Sequence, residues 1–141
     1  MDKINQDFKE LIEVAQESKK NAYVPYSGFK VGAAVMTGDG KIYGGCNVEN
    51  ASYGATNCAE RTAVFKAVSE GHTDIKAIAI SGDTKEHLYP CGICRQVLIE
   101  FGDDIIIVLM NKNGEAKLTT IGKLLPNSFT NKDMEEVQDG I

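Results

Sequence analysis

Cys58-Ala59-Glu60 and Pro90-Cys91-Gly92-Ile93-Cys94 supply three thiols and a carboxylate of the kinds a hydrolytic zinc site uses. A Cys-x-x-Cys pair favours tetrahedral Zn²⁺, and a third thiolate from Cys58 leaves the fourth position open to water. An open position belongs to a catalytic site rather than a structural one. Glu60, beside the first thiol in sequence, is suited to moving protons to and from that water. Three thiolates overbalance the charge of the ion and weaken it as a Lewis acid, so the site needs compensating positive charge. Arg61 and Arg95, each next to a ligand, are the candidates, together with the N-terminal ends of two helices. The matching substrate is a ring carbon bearing an amino group, as in cytosine or adenine, because one carboxylate can serve water, ring nitrogen and leaving amine in turn. In Asn47-Val48-Glu49 an extended backbone puts Asn47 and Glu49 on one face, where amide and carboxylate suit a pair of sugar hydroxyls.

Other readings of these residues remain open. Cys46 could close a structural four-cysteine shell, although it has no close pair and also reads as a small apolar residue at a strand end. Cys91 and Cys94 could form a redox pair, which would leave Cys58 and Glu60 without a task. Glu60 could be an ordinary favourable acid in a helix's first turn. His72 and His87 lie in polar stretches without spaced partners and read as surface residues. A zinc module that binds a partner and catalyses nothing is the reading from a different class.

The elements that must position these groups follow from pattern. Ile4, Phe8, Leu11, Ile12 and Ala15 recur at helical spacing over 4–20. Segments 29–37 and 41–46 read as strands of a hairpin turning at Gly38-Asp39-Gly40. A polar loop over 47–57 leads into a helix from Cys58 to Glu70, a strand over 75–80 and a helix from Cys91 to Phe101. Strands over 105–110 and 116–120 follow, and the tail 124–141 has no clear period. The two strand-helix-strand crossovers predict parallel central strands with antiparallel hairpins at the edges. The expected architecture is a three-layer α/β/α fold with a five-stranded mixed sheet, and both cysteine segments open helices where such sheets place ligands.

Composition agrees with a small enzyme. A chain of 141 residues predicts one domain, 1–141, with residues 130–141 irregular. Its 43% hydrophobic and 25% charged residues are ordinary for a globular protein, and no apolar run reaches membrane-spanning length. The net charge of −5 argues against binding a nucleic-acid backbone. The first residues lack the basic-then-apolar form of a secretion leader, so a cytoplasmic protein using its four cysteines for thiol or metal chemistry is expected.

The chain resembles the small, three-cysteine cytidine deaminases that act on free nucleosides. The likeness runs through 26–34 (Tyr-Ser-Gly-Phe-Lys-Val-Gly-Ala-Ala), 47–54 (Asn-Val-Glu-Asn-Ala-Ser-Tyr-Gly), 56–61, 90–96 and Leu124-Leu125-Pro126-Asn127-Ser128-Phe129. It implies one zinc per chain on Cys58, Cys91 and Cys94, with Glu60 as proton shuttle. It further implies that Phe29, Asn47 and Glu49 contact the nucleoside and that the backbone at Ala59 meets the base. Ala51 to Gly54, including Tyr53, would reach a neighbouring subunit's site. Phe129 would stack on a base bound by another subunit of a homotetramer. The implied reaction converts cytidine and 2′-deoxycytidine to their uridine counterparts with release of ammonia, in pyrimidine salvage. A cytosine-bearing antibiotic nucleoside or an RNA is the alternative substrate.

Overall fold

The computed structural model describes residues 3–139. The helical pattern over 4–20 forms two helices, α1 (Lys3–Asp7) and α2 (Lys9–Lys19), because Phe8 leaves helical geometry at φ −116° and ψ 25°. The hairpin β1 (Val31–Thr37) and β2 (Ile42–Cys46) turns at Gly40, whose φ of 85° is the left-handed conformation glycine adopts without steric cost. A single 3₁₀ turn, Tyr53–Ala55, interrupts the polar loop. Then come α3 (Ala59–Ser69), β3 (Ile75–Gly82), α4 (Gly92–Ile99), β4 (Ile106–Met110), β5 (Ala116–Thr120), α5 (Ile121–Leu124) and α6 (Asn131–Asp139).

The five strands form one mixed sheet in the order β2-β1-β3-β4-β5. Only β3 and β4 pair in parallel, because β1 inserts antiparallel between β2 and β3. The parallel centre expected from two crossovers is therefore narrower than predicted. The β2-to-β3 crossover spans a strand instead of joining neighbours.

Period-two alternation divides the strand residues between two cores. Ala33, Val35, Ile78, Ile80, Ile107 and Leu109 face a cluster shared with Ala59, Ala63, Val64 and Ala67 of α3 and Leu98 and Ile99 of α4. The intervening Ala34, Ala77, Ala79, Val108 and Met110 face Leu11, Ile12 and Ala15 of α2. The bulky face thus carries the two cysteine helices and the smaller face carries the first pair, which gives the expected three layers. Close approach is built in by glycine. A Cβ on Gly32 would run into the backbone of α2 at Ala15 and Lys19. One on Gly45 would come within 2.6 Å of the Ala63 amide nitrogen and 3.0 Å of the Ala59 carbonyl of α3.

The tail expected to be irregular is helical over Asn131–Asp139. Its start is fixed by Thr130 and Asp133: the Thr130 amide donates to the Asp133 carboxylate at 2.9 Å, and the Asp133 amide donates to the Thr130 carbonyl at 3.1 Å. Gly140 and Ile141 lie outside the described residues. His72 and His87 are half-buried rather than surface residues. The His72 ring lies beside Tyr43, with its Nδ1 4.0 Å from both Asp39 and Asp74.

Candidate active site

Cys58 is the N-cap of α3 and Cys91 the N-cap of α4, each with extended backbone, and neither side chain caps its own helix. Both thiols are thereby free to turn toward a common point, while the N-terminal partial charges of two helices converge on it. Cys94, one turn into α4, joins them fully buried. The three Sγ atoms lie within 4.8 Å of one another, and Cys58 and Cys91 are 3.7 Å apart. Tetrahedral zinc with Zn–S bonds of about 2.3 Å spaces its sulfurs about 3.8 Å apart, so the cluster fits one zinc ion. Among the described residues no other group of His, Cys, Asp and Glu gathers in this way, and Cys46 stays outside it.

The electrostatics favour a thiolate at Cys58. A hydrogen bond from the Cys94 thiol lowers Cys58 to about 5, helped by the Arg61 guanidinium, and the same contact pushes Cys94 upward. Arg61 Nη2 donates to Cys58 Sγ at 3.4 Å and to the Thr56 carbonyl at 3.5 Å. Arg95 does something else. Its Nε donates to the Pro90 carbonyl at 2.9 Å and its Nη1 to the Leu124 carbonyl at 2.9 Å. The guanidinium expected to offset thiolate charge is instead committed to backbone oxygens, where it anchors the residue preceding Cys91.

Glu60, in the first turn of α3, is 5% exposed. Burial pushes its carboxyl up to about 7, and the neighbouring Cys58 thiolate adds to the rise. It lines a cavity of about 250 Å³ with Cys58, Ala59, Cys91, Phe29, Val31, Asn47, Leu88 and Tyr89. Thiols, carboxylate, predicted aromatic wall and predicted amide thus share one chamber.

Asn47 is held in that wall by its own chain: its Oδ1 accepts from the Val31 amide at 2.9 Å and its Nδ2 donates to the Phe29 carbonyl at 2.7 Å. Each end of the amide keeps one further hydrogen-bonding site. Val48 bridges both Tyr23 and Asn57, which makes the segment extended as expected. Glu49 nevertheless lines a different cavity, of about 260 Å³, with Tyr26, Ser27, Tyr53 and Thr56. There its carboxylate accepts the Ser27 hydroxyl and the amides of Tyr26 and Ser27, at 3.0 and 3.1 Å. The Ser27 hydroxyl, above all, holds its pKa below the ordinary value.

The remaining expected contacts lie on the surface of this chain. Tyr53 is 74% exposed and meets Tyr26 edge-on, Ala51 is exposed, and Phe129 is 60% exposed. Sequence reasoning gave Val31, Leu88 and Tyr89 no role. The clue was Pro90, which biases its predecessor Tyr89 toward extended backbone and away from helix. The Leu88 amide, 3.1 Å from the Met110 carbonyl, fixes that stretch to the end of β4.

Comparison with known proteins agrees with this geometry. Residues 5–110 match the family described as the cytidine and deoxycytidylate deaminase zinc-binding region. A cytidine deaminase of Halalkalibacterium halodurans is 50% identical over 131 residues, 92% of this chain and 99% of that protein. The crystal structure of a cytidine deaminase from Burkholderia pseudomallei superimposes with a TM-score of 0.82 at 51% identity, covering 86% of this chain and 98% of the other. A blasticidin-S deaminase of Bacillus cereus is more distant, at 33% identity over 135 residues, 90% of this chain and 95% of that one. The three-thiol cluster, the buried glutamate and these likenesses agree: the chain belongs to the zinc-binding cytidine deaminase family.

Proposed function

We propose that the chain hydrolyses the exocyclic amine of cytidine and 2′-deoxycytidine, giving uridine or 2′-deoxyuridine and ammonia. The observation that carries the reading is Glu60, a buried carboxyl whose pKa burial raises, in the same cavity as Cys58 and Cys91 of the three-thiol cluster. Zinc held by Cys58, Cys91 and Cys94 supplies Lewis acidity that readies a water for attack. Glu60 accepts the first proton of that water and delivers it to N3 as the oxygen adds to C4. It then carries the second proton to the amine as the C4–N4 bond breaks, so both protons of one water pass through a single carboxyl. Burial, by raising the pKa of this carboxyl, favours its taking up a proton that it can then pass on.

Arg61 steadies the Cys58 thiolate, and Arg95 holds the Pro90 carbonyl that precedes Cys91. Phe29 walls the base, and the backbone at Ala59 meets its edge. Asn47 and Glu49 hold the sugar hydroxyls. We further infer a homotetramer in which Ala51, Tyr53 and Phe129 complete a neighbour's site. The exposure of Tyr53 and Phe129 supports that arrangement. The chain acts as one catalytic domain in cytoplasmic pyrimidine salvage. Two relatives called cytidine deaminase match at 49% and 50% identity against 33% for the blasticidin-S deaminase, which favours the simple nucleoside over the antibiotic.

The test is direct. Zinc-loaded protein incubated with cytidine should bleach its ultraviolet absorbance and release one ammonia per uridine formed. A fully zinc-loaded protein that leaves cytidine unchanged would return the site to a structural zinc module.

A further inference from the structure

Two consecutive side chains of α4 grip both ends of one segment. Arg95 Nη1 donates to the Leu124 carbonyl at 2.9 Å, and Gln96 Nε2 donates to the Phe129 carbonyl at 2.9 Å. Between these anchors Asn127 adopts φ 54°, the left-handed region that asparagine tolerates better than most residues, so the chain turns sharply. The third contact of the pair, from Arg95 Nε to the Pro90 carbonyl, reaches the other way, to the residue before Cys91. α4 therefore carries two of the thiols through Cys91 and Cys94 and also holds the path of the chain to Phe129.

We infer that Arg95 and Gln96 are positioning residues that clamp the 124–129 segment to the thiol-bearing helix and so fix where the Phe129 ring is presented. The inference rests on the reading that Phe129 stacks on a base, and it holds whichever subunit supplies that base. The geometry explains a pairing that charge alone does not. Arg95 touches no sulfur, and its planar fork reaches two carbonyls that a lysine ammonium could not span together. Gln96 is exposed, and its polar contact goes to the backbone of the aromatic residue itself.

Gln96→Glu keeps size and shape but removes the donor, leaving an acceptor against the Phe129 carbonyl. In the zinc-loaded full chain this variant should speed amide hydrogen exchange at Leu125 and Asn127 to Thr130 by about two- to twelve-fold, the worth of one lost hydrogen bond. Zinc content should be unchanged. Catalytic efficiency on cytidine should fall by a similar factor, mainly through KM, because ring placement affects binding. Arg95→Lys should quicken exchange in the same segment. Combined with Phe129→Ala, the Gln96 change should cost nothing further, since a clamp without its ring has nothing to place. Unaltered exchange in Gln96→Glu, or losses that multiply in the double variant, would overturn the clamp. If Phe129→Ala alone leaves efficiency intact, the stacking reading falls, while the exchange rates still decide whether the segment is held as described.

Discussion

Glu60 is the one buried charged side chain among the described residues, and its environment sets both what it does and when. In the proposed mechanism its carboxylate form accepts the proton of water, so kcat/KM should decline as pH falls through its pKa. Burial raises that pKa to about 7 in the metal-free chain, and a zinc dication beside the carboxyl would lower it. Glu49, whose pKa the Ser27 hydroxyl lowers, stays ionised across that window. A pH–rate profile of Glu49→Gln should therefore show a higher KM with the midpoint of the acid limb unmoved. A shifted midpoint would give Glu49 the proton-transfer role. Ligand identity is tested at the same scale. Cys58→Ala, Cys91→Ala and Cys94→Ala should lose or weaken zinc binding by elemental analysis, whereas Cys46→Ser should retain one zinc per chain. Loss of zinc in Cys46→Ser would mean the shell has a fourth thiol. These residues were legible in sequence because their types and spacing are chemically restrictive. Arg95 was legible as important but not as what it is, because adjacency to a ligand does not say which way a long side chain reaches.

Helix starts do the positioning in this site, and sequence pattern placed them closely. The helices expected from Cys58 and Cys91 begin at Ala59 and Gly92, with the cysteines as caps. What pattern did not convey was how tightly α3 lies on the hairpin. Gly45 has no side chain because the Ala59 carbonyl and Ala63 amide occupy that space. Gly45→Ala should push away the helix that carries Glu60, costing about 1–3 kcal/mol in stability, as overpacking typically does. Urea unfolding would measure the loss, and turnover should drop with it. An alanine at 45 tolerated without loss of either would show that α3 does not depend on this approach. Two other misses have local causes. A backbone departure at Phe8 is invisible to a periodicity that continues through it. The helix at Asn131–Asp139 was announced by Thr130-Asn131-Lys132-Asp133, a capping pattern easily passed over in a polar tail without a regular apolar stripe.

At the scale of the whole molecule, the layers and the mixed sheet were legible, but the strand order was not. Two crossovers suggest a parallel centre, and only the register of β1 between β2 and β3 reveals the antiparallel strand set within it. Residues proposed to serve a neighbour are equally silent in one chain's pattern, since an exposed aromatic looks like any tail residue until its place on the surface is known. Sharing of Phe129 between subunits can be tested by mixing. Co-expressed Glu60→Ala and Phe129→Ala subunits, confirmed as hetero-oligomers by mass spectrometry, should give more activity per intact zinc site than Phe129→Ala alone. Stacking on a base is worth about 1–3 kcal/mol, so Phe129→Ala itself should cost about five- to a hundred-and-fifty-fold in efficiency. No rise in the mixed protein would place Phe129 in its own chain's service or in none. The central claim, that a buried glutamate beside three thiolates drives hydrolytic deamination, is tested most directly by cytidine turnover in Glu60→Gln matched to wild type in zinc content and folding. Turnover should fall by more than the roughly 10²–10⁴-fold usual for a general acid–base, because one group serves several steps. Near-normal turnover in the zinc-loaded variant would contradict the account.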